Sequence, residues 1–201
     1  AYKVTTVSPN YMNELMYDSA GLEQLFRSES WKSVGILNGI DNEVWDPSTD
    51  PMIEYHLKKD IIKYKAENKK ILCKIIGLDP NLPLYGFIGR LVLEKRAEFI
   101  AGLIDTWLSR HKNINFVILG TGDKSIESAF QSVAYKHASN VACMLAYNET
   151  MSHKIYAGAD FLLMPSRVEP CGLNQMFAMR YGTLPIVRTT GGLKDSVKDI
   201  S

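Results

Sequence analysis

The residues whose types and spacing can do chemistry cluster near the C-terminal end, in Asp160-Phe-Leu-Leu-Met-Pro165-Ser-Arg-Val-Glu169-Pro-Cys171-Gly172-Leu173 and in Thr189-Thr190-Gly191-Gly192-Leu193. The first stretch is an apolar run closed by Pro165, the pattern of a buried parallel strand. A polar loop with a single carboxylate, Glu169, follows, and Gly172 opens a helix from Leu173 to about Tyr181. A second short strand, Leu184–Val187, runs into Thr189-Thr190-Gly191-Gly192, again directly before a helix. Two glycine-bearing strand-to-helix turns in one sheet make a paired anion cradle. Each helix start offers unpaired N–H donors and partial positive charge, and glycine lets a ligand approach the backbone. A carboxylate contributes nothing to holding an anion, so Glu169 is expected to serve a neutral polyol or a developing cation. Phosphate and sugar together point to a nucleotide-sugar.

Other residues join or qualify this picture. Arg90 and Lys95 share one loop after the strand Leu84–Ile88. Alone they read as surface charges; beside the glycine turns they suit a diphosphate, arginine as a planar fork and lysine as a point charge. Gly120-Thr121-Gly122 is part of a dinucleotide fingerprint but lacks the third glycine and an acidic residue for a dinucleotide ribose. By itself it is better explained as a tight turn. Glu169 has two rival roles, an ion pair with Arg167 or a cap for the following helix. Cys171 reads as a packed small residue, since no histidine lies near it in sequence. His153 reads as a surface or supporting residue rather than a general base. Tyr147 ends a strand on the ligand edge, where it can stack on a base or plug the core. Trp31, Trp45 and Trp107 read as structural.

The elements that must position these residues follow from periodicity. Of 201 residues, 46% are hydrophobic and the net charge is +1, enough apolar content for one domain, or one and part of another. The near-neutral balance gives no support for nucleic-acid binding. Three dispersed cysteines, Cys73, Cys143 and Cys171, indicate neither a disulfide frame nor a metal site, so a reducing compartment is expected. No run is long enough for a membrane span and no signal peptide is visible.

The chain opens with a strand over Lys3–Ser8, helices over Tyr11–Met16 and Gly21–Glu29, and a strand or extended link at Val34–Leu37. A domain boundary is placed at Asn38–Asp41, before the turn-rich stretch Trp45–Pro51. A helix is predicted over Ile53–Ile76, with Lys58, Lys59, Lys63, Lys65, Lys69 and Lys70 as its solvated face or, alternatively, a surface for an acidic or glucan partner. Gly77 caps it. Strands then alternate with helices: Leu84–Ile88, a helix to about Arg110, Asn115–Leu119, a helix to about His137, Val141–Leu145, and a helix over Glu149–Ala157. This order predicts a Rossmann-like, doubly wound parallel sheet with the ligand at the C-terminal strand ends.

Together these residues closely resemble the glycogen and starch synthase family of glycosyltransferases. The resemblance is carried by Lys3-Val-Thr-Thr-Val-Ser-Pro9, Gly35-Ile-Leu-Asn-Gly-Ile-Asp41 with Trp45-Asp-Pro47, Gly89-Arg90-Leu with Lys95, and Ser152-His153 with Ala157-Gly-Ala-Asp160. It continues in Pro165-Ser-Arg with Glu169-Pro-Cys171-Gly172-Leu173, Arg180-Tyr-Gly-Thr-Leu-Pro185 and Thr190-Gly191-Gly192-Leu193. It covers nearly the whole chain in the family's order. The resemblance implies a two-domain GT-B enzyme that moves glucose from ADP-glucose or UDP-glucose to the non-reducing end of an α-1,4-glucan, with retention. It implies Arg90 and Lys95 at the donor diphosphate and Glu169 at the donor glucose. It places the backbone of Cys171, Gly172 and Leu173 at the sugar hydroxyls, Thr190, Gly191, Gly192 and Leu193 in the phosphate-facing turn, and Tyr147 against the base. No metal and no cofactor is implied, and the compartment is the cytoplasm, or the plastid in a plant. ADP-glucose is the donor of the bacterial and plant type.

Two departures stand out. Phe177 occupies the place, eight positions after Glu169, where many related transferases carry a ribose-binding glutamate. Arg96-Ala97 follows Lys95 where the family has glycine, which predicts a stiffer loop. Residues 1–38 resemble the end of the family's N-terminal domain and residues 39–201 its C-terminal nucleotide-sugar domain, shortened at its end. The glucan face, the lysine-containing glycine loop and the histidine near the donor glucose belong to parts of the family pattern this chain lacks. The chain alone is therefore expected to bind nucleotide weakly and turn over nothing, with disorder or contacts with other molecules in residues 1–37. The alternatives are another GT-B transferase, such as a sucrose-synthase-like enzyme, a non-catalytic nucleotide- or glucan-binding regulator, and a nucleotide-dependent oxidoreductase. The intact Glu169-to-Leu173 piece, the joint presence of Arg90, Lys95 and Glu169, and the incomplete fingerprint at Gly120 argue against these in turn.

Overall fold

The structure, a computed structural model, describes residues 1–200. Five parallel strands form the main sheet: β3 (Leu84–Ile88), β4 (Asn115–Leu119), β5 (Val141–Met144), β6 (Phe161–Met164) and β7 (Leu184–Val187), in the order β5-β4-β3-β6-β7. The chain winds outward from β3 through β4 to β5, then returns to the other side of β3 with β6 and β7. The order reverses between β3 and β6, and in such a sheet the crevice beyond the C-terminal ends of those two strands is where ligands bind. The loop carrying Arg90 and Lys95 follows β3, and the loop carrying Glu169 follows β6. The topology itself thus brings the two sequence stretches together.

The helices cover both faces. On one side α4 (Ala97–Leu108) and α5 (Lys124–Lys136) bury Ile100, Ile104, Leu108 and Phe130 against Phe87, Phe116 and Ile118. On the other, α3 (Ile61–Ile76) and α6 (Glu149–Gly158) pack together, with Leu72 and Ile155 against Leu84 and Val117. All five residues of β4 are buried, as befits an interior parallel strand covered on both faces.

Several expectations need correction. The helix predicted from Ile53 begins only at Ile61, where the side chain of Asp60 accepts from the Lys63 N–H at 3.0 Å and so caps it. Ile53 and Leu57 are apolar because the preceding loop tucks them into the core, not because they belong to a helix. The lysine face is not wholly solvated. Lys69 pairs with Asp160 at 2.6 Å, and Lys65 Nζ donates to Thr183 Oγ1 at 2.6 Å and to the Tyr156 carbonyl at 3.2 Å. Burial pulls the Lys65 ammonium down to about 7.

Residues 1–37 carry elements of their own. β1 (Val4–Thr6) and β2 (Ser33–Gly35) pair in parallel as a separate two-stranded sheet, with α1 (Pro9–Leu15) and α2 (Glu23–Ser28) between them. This piece leaves Tyr2, Tyr17 and Trp31 largely exposed. Its α1 docks on α8 (Gly191–Ser196). The docking bonds run from the Asn10 N–H to Asp195 at 2.7 Å and from the Gly191 N–H to Glu14 Oε1 at 2.8 Å.

Candidate functional site

The crevice is built from two pairs of strand-end loops, each pair joined backbone to backbone. After β3, the Leu91 N–H donates to the Thr121 carbonyl at 3.0 Å and the Asp123 N–H to the Leu91 carbonyl at 2.9 Å. A methyl group on Gly120 would overlap the carbonyl of Gly89, and one on Gly122 the carbonyl of Leu91. Gly120-Thr121-Gly122 is therefore glycine-bearing because another backbone lies on it. The turn is completed from within by Glu127, which accepts from the Thr121 hydroxyl, the Gly122 N–H at 3.0 Å and Lys124 at 2.7 Å. Lys124, then Thr121 and Gly122, hold its carboxyl at about 2.

The second pair joins the Glu169 loop to the start of α8. The Gly192 N–H donates to the Glu169 carbonyl at 2.9 Å, and side chains on Gly191 or Gly192 would overlap the backbone of Glu169 and Cys171. Gly172 has φ +73° and Gly191 φ +43°, the left-handed region glycine enters without strain. These turns set Glu169 beside Lys95. Its side chain, 7% exposed, pairs through Oε2 with Lys95 Nζ and accepts from Ser166 Oγ at 2.9 Å. Neither rival role for Glu169 holds: Arg167 pairs with Glu98 at 3.3 Å, and Glu169 bonds no N–H of α7 (Asn174–Arg180). A cleft of about 350 Å³ opens at the same sheet edge, lined by Arg90, Gly120, Tyr147, Asn174, Phe177 and Trp45 among others. The Asn174 side chain donates to the Ile88 carbonyl at 2.8 Å and so fixes the start of α7 to the end of β3.

The candidate residues thus fall into groups. Lys95 and Glu169 touch. Arg90 and Tyr147 share the cleft, with Tyr147 86% exposed rather than filling the core. Gly172 and Leu173 form the turn into α7. Cys171 is buried, and that burial raises its thiol, which leaves it a packed residue rather than a nucleophile. The side chain of Leu193 is fully buried in the core, and the donors of Thr190 and Gly191 already face the Glu14 carboxylate at 3.2 and 2.8 Å.

Two further differences from the sequence expectations concern the cleft. His153 is fully buried, with Nδ1 2.7 Å from Asp50 Oδ2, so it is no surface residue. Trp45 lines the cleft instead of serving only as packing. Aromatic–turn composition flagged the Trp45 loop, but no local pattern tied Asp50 to a histidine 103 residues away. The loop expected to be stiff holds Arg96 at φ +53°, the conformation a glycine would take there. The arginine is kept in place with its guanidinium over the Phe99 ring, 5.5 Å from the centroid.

Comparison with known proteins places this geometry. The family described as Glycosyl transferases group 1 matches residues 68–201. Glycogen synthase of Flavobacterium johnsoniae is 51% identical over 201 residues, covering 99% of this chain and 42% of that protein. Glycogen synthase of Finegoldia magna is 45% identical over 204 residues, with the same coverage of each. The chain thus spans less than half the length of these relatives. Among solved structures, the catalytic domain of starch synthase IV from Arabidopsis thaliana, bound to ADP and acarbose, aligns with a TM-score of 0.89 at 42% identity, over 100% of this chain and 42% of that one. Anabaena HepE in complex with UDP-glucose aligns at 0.68 and 16% identity over 99% of this chain and 48% of that one, a likeness of fold. The parallel sheet, its crevice and the match over residues 68–201 converge: the chain belongs to the group 1 glycosyl transferases.

Proposed function

We propose that this chain is the donor-nucleotide part of a glycogen or starch synthase, which transfers glucose from ADP-glucose to the non-reducing end of an α-1,4-glucan with retention. The observation that carries this is the buried Glu169 held against Lys95 at the sheet's reversal point, where the β3 loop that also bears Arg90 meets the β6 loop. The relatives named glycogen synthase and the ADP-bound starch synthase IV support it.

The chemistry follows from the site. As the anomeric C–O bond breaks, negative charge develops on the departing diphosphate and positive charge on the glucosyl ring. Arg90 and Lys95 are the cations for the first, and the Glu169 carboxylate lies beside Lys95 for the second, an arrangement fixed before any bond breaks. Lys95 would pass from sharing its charge with Glu169 alone to sharing it with the diphosphate as well. Tyr147 and the cleft behind Arg90 receive the nucleoside, and the glucan acceptor is met by parts of the enzyme beyond this chain. A cytoplasmic location accords with that role; among the described residues no helix is long and apolar enough to cross a membrane.

The test is calorimetric titration of the chain with ADP, UDP and AMP, repeated on Arg90→Ala and Lys95→Ala. ADP is expected to bind best, and both variants to lose the advantage of ADP over AMP. Equal affinity for ADP and AMP in the unaltered chain would remove the diphosphate clamp. A preference for UDP would assign a UDP-sugar donor instead.

A further inference from the structure

Trp45 belongs to a loop that sequence patterning leaves unassigned, yet its side chain lines the nucleotide cleft. Stacked rings and a backbone hydrogen bond hold it there, and the half-buried residue still reaches the cleft. The indole stacks on Phe177, with centroids 3.7 Å apart and planes at 21°, and on His153 at 4.0 Å and 16°. Its carbonyl accepts from Arg180 Nε at 3.1 Å. His153 is in turn fixed by Asp50, a fully buried carboxylate that also accepts from the Tyr181 hydroxyl at 2.6 Å and the Met52 N–H at 2.8 Å. A carboxylate so buried must be satisfied by such partners, and here they come from α6, the residue that ends α7 and its own loop.

His153 Nε2 has no hydrogen-bond partner among the described residues although the ring is buried. A histidine used only as a polar link would not strand that nitrogen. What the fold uses is one nitrogen, to Asp50, and the flat face, against Trp45.

We infer that Trp45 contacts the nucleoside with the edge of its indole and that His153, clamped by Asp50, is the positioning residue that sets the indole plane. Phe177 completes the sandwich, so this wall of the cleft is aromatic where a carboxylate could have stood. This rests on the assignment of the cleft to a nucleotide.

The probe is ADP, read by intrinsic tryptophan fluorescence beside calorimetry. Trp31 and Trp107 lie outside the cleft, and both are substantially exposed. The double variant Trp31→Phe, Trp107→Phe, whose remaining indole is Trp45, is expected to keep the ADP-induced change in emission, and Trp45→Phe to lose it. His153→Ala is expected to weaken ADP about three- to tenfold, with His153→Phe, which restores a flat face, within about twofold of the unaltered chain. Far-UV circular dichroism melts identify any variant that unfolds. If ADP binds by calorimetry and the double variant shows no emission change, Trp45 does not contact the nucleoside and the inference fails while the nucleotide assignment survives. Equal weakening by the Ala and Phe variants would overturn the positioning role of His153. If the unaltered chain binds no ADP by calorimetry, the nucleotide assignment itself fails, and this inference with it.

Discussion

The two glycine-joined loop pairs at the sheet edge use one backbone device for different ends. In both, a strand-end loop lies directly on a glycine turn, and in both a nearly buried glutamate completes the junction. Glu127 has both oxygens engaged, Oε1 by Thr121 and Gly122 and Oε2 by Lys124. Glu169 receives Lys95 and Ser166 on Oε2 alone, and among the described residues nothing bonds Oε1. The first carboxylate is consumed in holding a turn together. The second is held firmly by one oxygen while the other is left for something outside the chain. Saturation of hydrogen bonding separates the structural carboxylate from the one proposed to act on the donor sugar, where burial alone does not.

The sharpest way to break the comparison is to neutralise each glutamate. If the chain belongs to the proposed synthase, Glu169→Gln in that enzyme is expected to lower glucosyl transfer by about a hundred- to thousandfold, the scale for one preorganised electrostatic group, with little change in melting temperature. Transfer rates and a thermal melt on the same variant check both halves, and an active Glu169→Gln enzyme would erase the contrast. Next in size are the glycines themselves. Gly120→Ala and Gly191→Ala each force two backbones apart and are expected to cost about 3 kcal/mol in chemical denaturation. Both should also weaken ADP, since Gly120 lines the cleft proposed for the nucleoside and Gly191 lies in the turn proposed to face the phosphates.

Glu127→Gln acts through pH. The Glu127 carboxyl is held at about 2 in the fold against an ordinary 4.5. Its contribution is therefore complete above pH 4.5 and is lost as pH falls toward 2. The variant's melting temperature should fall less steeply across that window than the parent's, and parallel profiles would show that Glu127 does not stabilise the turn. The smallest effect is expected from Glu14→Ala, which removes the carboxylate at the start of α8. A loss of about 1 kcal/mol, the size of a helix cap, should appear in denaturant unfolding, with the Lys95–Glu169 pair undisturbed.

Much of the fold was legible because it is written locally. Leu84–Ile88, Asn115–Leu119 and Leu184–Val187 are short apolar runs bounded by turn residues, and each is a strand over those bounds. The start of α3 was obscured because Ile53 and Leu57 mimic helical spacing while serving a loop, though Asp60 carried the capping signal. Lys65 looked solvated because lysine nearly always is, and only the tertiary fold supplies Thr183 and the Tyr156 carbonyl to hold it. For the site, Arg90, Lys95 and Glu169 stood out by residue type and by the glycines beside them. The pairing of Lys95 with Glu169, of His153 with Asp50 and of Glu14 with Gly191 did not. Each spans more than seventy residues, and a polar side chain carries no local mark of so distant a partner.

The two joined loop pairs also have a mechanical meaning. Each forms a close-packed plate, its backbones in contact with no side chains between them. The plates meet along the seam between β3 and β6, where they are stitched by Lys95 to Glu169, by the Arg167 N–H to the Glu94 carbonyl at 2.7 Å, and by Asn174 to the Ile88 carbonyl. The Arg167–Glu98 pair at 3.3 Å adds a fourth link across the same seam. One of these links is the ion pair at the candidate reaction centre, so the seam between the plates and the site share one interaction.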